Sequence, residues 1–442
     1  MKKVVKFGGS SLADPDHFRK AAEIICADPD RRYVVPSAPG RRFPGDEKVT
    51  DMLYQAYEKL EAGEDPGPEL EKIKKRYEDI ASGLGLDLGL DDEFVLIRRK
   101  MEQGAGRDYT ASRGEYLNGK VLAAFLGFEF VDAAEVIRFD DDGSFNQEKT
   151  NTILSARVEG LDHVVIPGFY GLRDDGMVQT FTRGGSDITG SVVAAAVHAD
   201  LYENWTDVSG FLVADPGVID GPEVIDTITY KELRELSYMG ASVLHEDAIF
   251  PVRREGIPIN IRNTNKPEDR GTYIVETTSR RPKYVITGIA GKKGFVSITI
   301  EKDMMNSEIG FCRKVLQVFE DNGLSIEHMP SGIDTMTIFV HQTEFVEREQ
   351  QVISGIHRAV QPDILEIESG LALIAVVGRG MRDTRGIAGS VFSALASRNI
   401  NIKMIDQGSS ELNIIIGVKE KYFEDAITVL YDTFIPDESD GE

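Results

Sequence analysis

The chain has 442 residues, with 50 basic against 74 acidic side chains, a net charge of −24, 41% hydrophobic residues and 28% charged ones. That length supports two or three domains with full cores, the balance is that of a soluble globular protein, and no apolar run approaches the ~18 residues of a membrane span. The acidic excess opposes nucleic-acid binding, so an anionic substrate requires a few well-placed local cations. Met1-Lys2-Lys3 does not open a signal peptide, because Lys6 and the glycines after it interrupt any apolar core, and a cytoplasmic protein is expected. The two cysteines, Cys26 and Cys312, lie far apart in apolar helical patterns, which predicts core roles in a reducing compartment. None of the seven histidines shows metal-ligand spacing, so no protein-held metal is expected.

Val4-Val5 and Phe7 read as a strand, followed by the turn Gly8-Gly9-Ser10-Ser11 and a helix after Asp14. Consecutive amides at a helix N-terminus beside Lys6 make a phosphate cradle; an ordinary turn with a solvated lysine is the competing reading. Residues 17–26 read as helix, 32–35 as strand and 36–40 as turn, a βαβ unit. Residues 40–48 form a polar loop, and a helix over 52–61 takes Thr50 or Asp51 as N-cap. A charged helical hairpin spans 69–101, broken near 82–89. A second glycine-bearing segment, Ala111-Ser112-Arg113-Gly114-Glu115, leads into a helix over 116–126.

Strands over 128–131 and 164–166 follow, the latter running into Pro167-Gly168-Phe169-Tyr170-Gly171. Phe181-Thr182-Arg183-Gly184-Gly185-Ser186-Asp187 opens an Ala/Val-rich helix reaching Ala199. A strand over 201–205 ends in Thr206-Asp207-Val208-Ser209-Gly210, with Ala214-Asp215-Pro216 beyond. A helix over 230–239 precedes Gly240-Ala241-Ser242-Val243-Leu244, and a strand over 257–264 closes the region. This alternation predicts an open parallel α/β sheet covered by helices on both faces, with the glycine turns converging at the carboxyl ends of its strands.

The remainder is an internal repeat. Phe295-Val296-Ser297-Ile298 recurs as Leu371-Ala372-Leu373-Ile374, Gly310 as Gly386, Ile326 as Ile402, Gly332 as Gly408 and Ile338 as Ile414, at one offset of 76 positions (386 − 310). Each copy reads strand, helix, strand, strand, helix, a ferredoxin-like order. The second copy lacks a closing strand, which residues 285–290 would supply if the two units interleave.

Lys6-Phe7-Gly8-Gly9-Ser10-Ser11, Arg183-Gly184-Gly185-Ser186-Asp187, Thr206-Asp207-Val208-Ser209-Gly210 and Ala214-Asp215-Pro216 together resemble, in order and spacing, the aspartokinase family. The tandem repeat resembles that family's paired ACT domains, and the likeness covers nearly the whole chain. It implies a catalytic domain over 1–275, ACT units over 285–369 and 370–434, and an acidic tail over 435–442, with no room for the homoserine dehydrogenase domain some relatives carry. It implies ATP-dependent phosphorylation of the L-aspartate β-carboxylate, the first step towards lysine, threonine and methionine, with Mg²⁺ held mainly by phosphates and water. By the same resemblance Lys6, Arg183 and Asp187 are catalytic. Ser37, Thr50, Glu115, Phe169, Arg183 and Ser186 hold aspartate, with Glu115 accepting its ammonium group. Lys6, Gly8, Gly9, Ser10, Thr206, Asp207, Asp215, Ser242 and Val243 hold the nucleotide. Taken alone, Glu115 is equally a first-turn helix carboxylate, Asp207 and Asp215 turn or cap residues, and Phe169 core.

Two positions depart from the family pattern. Ser242 stands where many relatives have lysine and Gly217 where they have arginine, both near the nucleotide; Lys231, Arg262 and Lys266 are candidates to compensate. For regulation, Met305, Ser307, Gly310, Phe311, Ser325, Ile326, Glu327 and Ser331 match the edge where lysine binds in lysine-sensitive relatives. Feedback inhibition by L-lysine, with or without threonine, and a homodimer or dimer of dimers through the ACT units are expected. The alternatives are a kinase for glutamate or N-acetylglutamate, and a degenerate kinase that only senses amino acids.

Overall fold

The first strand, Lys3–Phe7, lies between Arg31–Pro36 and Leu201–Thr206 and runs parallel to both. The computed structural model describes residues 1–436 except Arg183, Ser242, Val243 and His245, so the expected site residues Arg183, Ser242 and Val243, and 437–442 of the expected tail, lie outside the described residues. By contact density the chain divides into two units: Met1–Phe211 with Val224–Tyr230 and Val243–Thr278, and Leu212–Glu223 with Lys231–Ser242 and Ser279–Glu442. Two segments from within the range 1–275 thus group with the second unit.

In the first unit an eight-stranded sheet has the order Glu129–Phe130, Val164–Val165, Arg31–Pro36, Lys3–Phe7, Leu201–Thr206, Ile259–Asn263, Thr272–Val275, Thr227–Thr229. Neighbours run parallel except at Ile259–Asn263 against Thr272–Val275. The parallel α/β architecture is as expected, with a reversed two-strand edge that the sequence did not announce. Alternation along the first strand sends Val5 and Phe7 into a core shared with Phe18, Ile24, Leu53, Tyr77 and Val121 from the covering helices. Lys6 therefore faces the other side, which the helix Gly185–Ala196 covers: Gly190 packs so closely on Tyr202 that an added Cβ would lie 2.5 Å from its hydroxyl. A small three-stranded sheet, Arg138–Phe139, Tyr170–Arg173 and Val178–Thr180, completes the unit.

Several local expectations are corrected. The segment Ala111 to Glu115 is not a turn but the interior of one helix, Gly106–Leu126. Its glycines serve close packing: a Cβ on Gly114 would sit 2.9 Å from that of Ala38, and one on Gly119 2.8 Å from the Pro167 ring. The helix Val49–Glu61 begins after Lys48, with no side-chain cap, so neither Thr50 nor Asp51 is its N-cap. Cys26 and Cys312 are free and exposed, on the solvent side of their helices.

The second unit is built on a five-stranded antiparallel sheet ordered Thr335–His341, Gly288–Glu301, Ile364–Val377, Asn413–Lys419, Ile402–Asp406. Gly288–Glu301 and Ile364–Val377, each 14 residues long, pair along most of their length. The half over 288–293 serves the second repeat and that over 295–301 the first, so the units interleave as expected. Gly294 and Gly370, at φ +86° and +69°, mark the change-over in each long strand. The repeat is also visible in Phe311–Asp321 and Ile387–Ser397, helices capped by Gly310 and Gly386 at φ +81° and +89°. Open space surrounds both caps, so the left-handed backbone and not crowding requires glycine there. The edge strand Ile402–Asp406 has no full counterpart in the first repeat, where only the bridges His328 to Phe339 and Ser331 to Met336 form.

Within this unit Glu232 is fully buried and receives the Thr287 hydroxyl at 2.5 Å, the Arg379 amide at 2.8 Å and the Arg379 guanidinium at 3.0 Å. Removing one member of a buried pair strands the other's charge. Glu232→Ala is expected to destabilise the protein by about 3 kcal/mol, read as a lowered midpoint in urea denaturation.

Candidate active site

The carboxyl ends of Lys3–Phe7, Arg31–Pro36 and Leu201–Thr206 open into a cavity of about 710 Å³. Its lining includes Lys6, Gly8, Gly9, Ser10, Ser37, Thr50, Glu115, Phe169, Ser186, Asp187, Thr206 and Asp207, so these expected site residues come together. The first strand is where the chain order reverses, since its partners leave in opposite directions, and ligands collect at such a switch point.

Lys6 is buried, and its Nζ lies 2.5 Å from Asp187 Oδ1 and 3.5 Å from Asn204 Oδ1. Asn204, opposite Lys6 in the register, donates its Nδ2 to the same Asp187 oxygen at 2.8 Å, and the Tyr202 hydroxyl donates to the Asp187 carbonyl at 3.0 Å. Beside this pair the backbone comes very close to itself. Gly40 N–H donates to Gly9 O at 2.8 Å, and a Cβ on Gly40 would lie 2.6 Å from the Gly9 carbonyl carbon. The 3-10 turn Gly9–Leu12 and the start of Gly185–Ala196 both lie at the cavity, so orphan amides and a helix dipole favour an anion there.

Phe169 occupies the left-handed region at φ +79°, a strained conformation for a bulky side chain. It is held by its N–H to the Thr189 hydroxyl at 2.9 Å and by its carbonyl, which accepts from Phe181 N–H at 2.9 Å. Phe169 is half-buried at the cavity wall, not in the core.

Glu115 is buried mid-helix, so it is not a first-turn carboxylate. Burial pushes its pKa up to about 8, against the lowering effects of the Ala38 amide and of Arg113, and its Oε2 has no hydrogen-bond partner. Asn118, one turn on, donates to the Ser37 carbonyl at 2.6 Å and fixes that loop. Asp215 belongs to the segment that groups with the second unit, where it accepts from Gly217 N–H at 2.8 Å in a local turn. Arg262 donates to the carbonyls of Pro267 and Asp269, and neither it nor Lys266 lines the cavity; Lys231 belongs to the second unit. Arg41 and Lys48, read from the sequence only as loop residues, do line it. Among the described residues no cluster of three or more His, Cys, Asp or Glu forms a metal site, and no helix is long and apolar enough to cross a membrane.

In the second unit, the side chains of Met305 and Phe311 are buried in an apolar core that Ile326 also flanks. Ser307, Gly310, Ser325 and Ser331 are exposed, and Glu327 accepts from the Tyr238 hydroxyl at 2.5 Å. Burial and this hydrogen bond push the Tyr238 pKa up to about 12.

A parallel sheet with a lysine and glycine turns at its switch point, followed by interleaved ferredoxin-like units, defines an amino acid kinase with regulatory ACT domains. Residues 1–263 match the amino acid kinase family and residues 374–434 the ACT domain. Aspartokinase 3 of Bacillus subtilis is 41% identical over 450 residues, covering 98% of each chain. The crystal structure of Clostridium acetobutylicum aspartate kinase is similar with a TM-score of 0.91 and 50% identity, over 98% of this chain and 100% of that one. Escherichia coli aspartokinase III in complex with aspartate and ADP gives a TM-score of 0.72 at 25% identity, over 98% of this chain and 99% of that one. The chain belongs to the aspartokinase family, phosphotransferases that act on aspartate.

The Glu115 carboxyl ionises near 4.5 in an unfolded chain but near 8 in the folded protein. The folded state therefore binds the extra proton between those values, and stability falls as pH rises through that window. Glu115→Gln should raise the melting temperature at pH 8 and leave it nearly unchanged at pH 4.5, as followed by circular dichroism.

Proposed function

We propose that the protein transfers the γ-phosphoryl group of ATP to the β-carboxylate of L-aspartate, giving 4-phospho-L-aspartate for lysine, threonine and methionine synthesis in the cytoplasm. The observation that carries this reading is the buried Lys6 beside two sets of orphan amides in one cavity, a few ångströms from Asp187. The E. coli relative bound to aspartate and ADP supports it.

A carboxylate nucleophile is already ionised at neutral pH, so no strong general base is required. Catalysis then rests on alignment and on neutralising charge spread over the transferring group. Lys6 bridges the phosphates and the attacking carboxylate, while Asp187 and Asn204 keep its ammonium group in place. Gly9 and Ser10 offer amides to phosphate oxygens, whereas the Gly8 amide expected to join them donates to the Trp205 carbonyl at 3.0 Å and so shapes the turn instead; Thr206 and Asp207 lie on the nucleotide side. Asp215, Ser242 and Val243 are assigned to the nucleotide by family likeness alone. Ser37, Thr50, Phe169 and Ser186 shape the acceptor pocket, and Arg183 holds the α-carboxylate by the same likeness. Asp51, Glu115, Asp187 and Asp207 line the cavity but no three such groups cluster among the described residues, which fits Mg²⁺ held through the phosphates and water, where it would neutralise phosphate charge. Glu115 accepts the α-ammonium group. Because its pKa stands near 8, binding at pH 7 releases a proton, so KM for aspartate should fall as pH rises towards 8 and lose that slope in Glu115→Gln.

Lysine acts as feedback inhibitor at the first ACT repeat, with Ser325, Ile326, Glu327 and Ser331 beside the turn at Met305, Ser307, Gly310 and Phe311. The E. coli aspartokinase III complex with lysine and aspartate supports that assignment. ACT units pair two chains into a homodimer.

The test is ATP-dependent hydroxamate formation with aspartate, glutamate and N-acetylglutamate, with and without lysine. Turnover of aspartate, inhibited by lysine in the parent and not in Glu327→Ala, is expected. Lys6→Ala should lower kcat about 10²–10³-fold, the cost of removing one transition-state donor. Turnover confined to glutamate or N-acetylglutamate would overturn the reading.

A further inference from the structure

We propose that Arg41 and Lys48 bind the β- and γ-phosphate oxygens of the nucleotide, completing the charge that Lys6 alone does not supply. This rests on the phosphoryl-transfer reading above. Both residues sit on the loop after Arg31–Pro36, and both line the cavity that holds Lys6 and the glycine turn.

The loop is stapled, which fixes the course of its backbone past the cavity. Asp46 accepts from the Arg42 guanidinium twice, at 2.8 Å from Nε and 2.8 Å from Nη2, from the Arg42 amide at 3.0 Å and from Arg76 Nη1 at 2.9 Å. The other end of the buried Arg76 guanidinium donates to the Gly40 carbonyl at 2.6 Å and the Ala13 carbonyl at 3.1 Å. These partners hold the Asp46 carboxyl well below the usual carboxylate range. Gly40 is in turn pressed against Gly9, so Arg41 is the first residue beyond the backbone that backs the anion cradle. Arg42 is committed to the staple and lines a separate hollow of about 330 Å³, whereas Arg41 lines the main cavity. Lys48 precedes the helix Val49–Glu61, whose Met52 N–H donates to its carbonyl at 3.1 Å, and Val49 N–H reaches the Pro39 carbonyl at 3.3 Å.

Chemistry selects the ligand. Lys6 already has Asp187 as counter-ion, but Arg41 and Lys48 are exposed and have no ion-pair partner among the described residues. Asp51 and Asp207 also line the cavity without pairing with either. In a chain of charge −24, two unpaired cations beside orphan amides fit a polyphosphate far better than a single amino acid. The planar arginine fork suits two oxygens of one phosphate, and the lysine acts as a point charge.

The test compares the full-length parent with Arg41→Ala, Arg41→Lys and Lys48→Ala. Titration calorimetry measures binding of ADP and of a non-hydrolysable ATP analogue, and steady-state assays measure KM for ATP and for aspartate. Arg41→Ala should weaken analogue binding and raise KM for ATP by about tenfold or more, the loss of one charge-assisted hydrogen bond. Lys48→Ala should do the same to a smaller extent, Arg41→Lys should recover part of the loss, and KM for aspartate should stay within about twofold. Both side chains are exposed, so unchanged melting temperatures are expected and serve as the folding control. Alanine variants that match the parent in nucleotide binding and KM for ATP, or that chiefly raise KM for aspartate, would overturn the proposal. A parent that binds the analogue through Arg41 yet turns over no aspartate would support it while refuting the acceptor assignment.

Discussion

The contact between Lys6 and Asp187, 2.5 Å long, joins the end of the central strand to the first turn of the helix that covers it. Strand alternation alone sends Lys6 to that face, and the parallel register brings Asn204 alongside to hold the same carboxylate. A buried ammonium group without a counter-ion would lose its proton or leave the interior. Asp187 supplies that counter-ion, and it does so from a helix whose amides themselves favour anions. An incoming phosphate therefore meets a lysine already aimed, and the neighbouring carboxylate limits how much charge remains to attract it. Further cations on the rim matter for that reason.

Close backbone approach does the rest. Gly40 against Gly9, Gly168 against Ser186 and Gly185 against Phe169 are contacts that any side chain would push apart by a substantial fraction of an ångström. They let loops from four strands meet in one hollow. The positive φ of Phe169 shows the cost, about 1–3 kcal/mol for such a conformation. Two hydrogen bonds from neighbouring elements hold it there.

Much of this was legible in the sequence because the signals were local. The alternating apolar strands, the glycine turn after Lys6 and the constant offset between Gly310 and Gly386 each reflect backbone geometry that short stretches determine. Glu115 was found only by resemblance, since a carboxylate inside a helix carries no local mark of burial. Gly114 misled for a related reason: it answers to crowding from Ala38, a residue distant in the chain. Arg41 and Arg42 read identically in sequence, and only the staple through Asp46 and Arg76 gives them different directions. Cys26 and Cys312 failed because an apolar helical pattern does not say which face a single position takes.

The two long strands of the second unit have a mechanical consequence. Each passes without a break through both ferredoxin-like halves, and the pair is zipped together along most of its length. A twist imposed at one end can therefore travel along covalent chain and ladder hydrogen bonds to the other, across a mid-strand irregularity where the register shifts between Lys293 and Ser297. Only Gly294 and Gly370, lodged halfway along the two beams, offer a soft joint. Two folds thus behave as a single stiff plank with one crease.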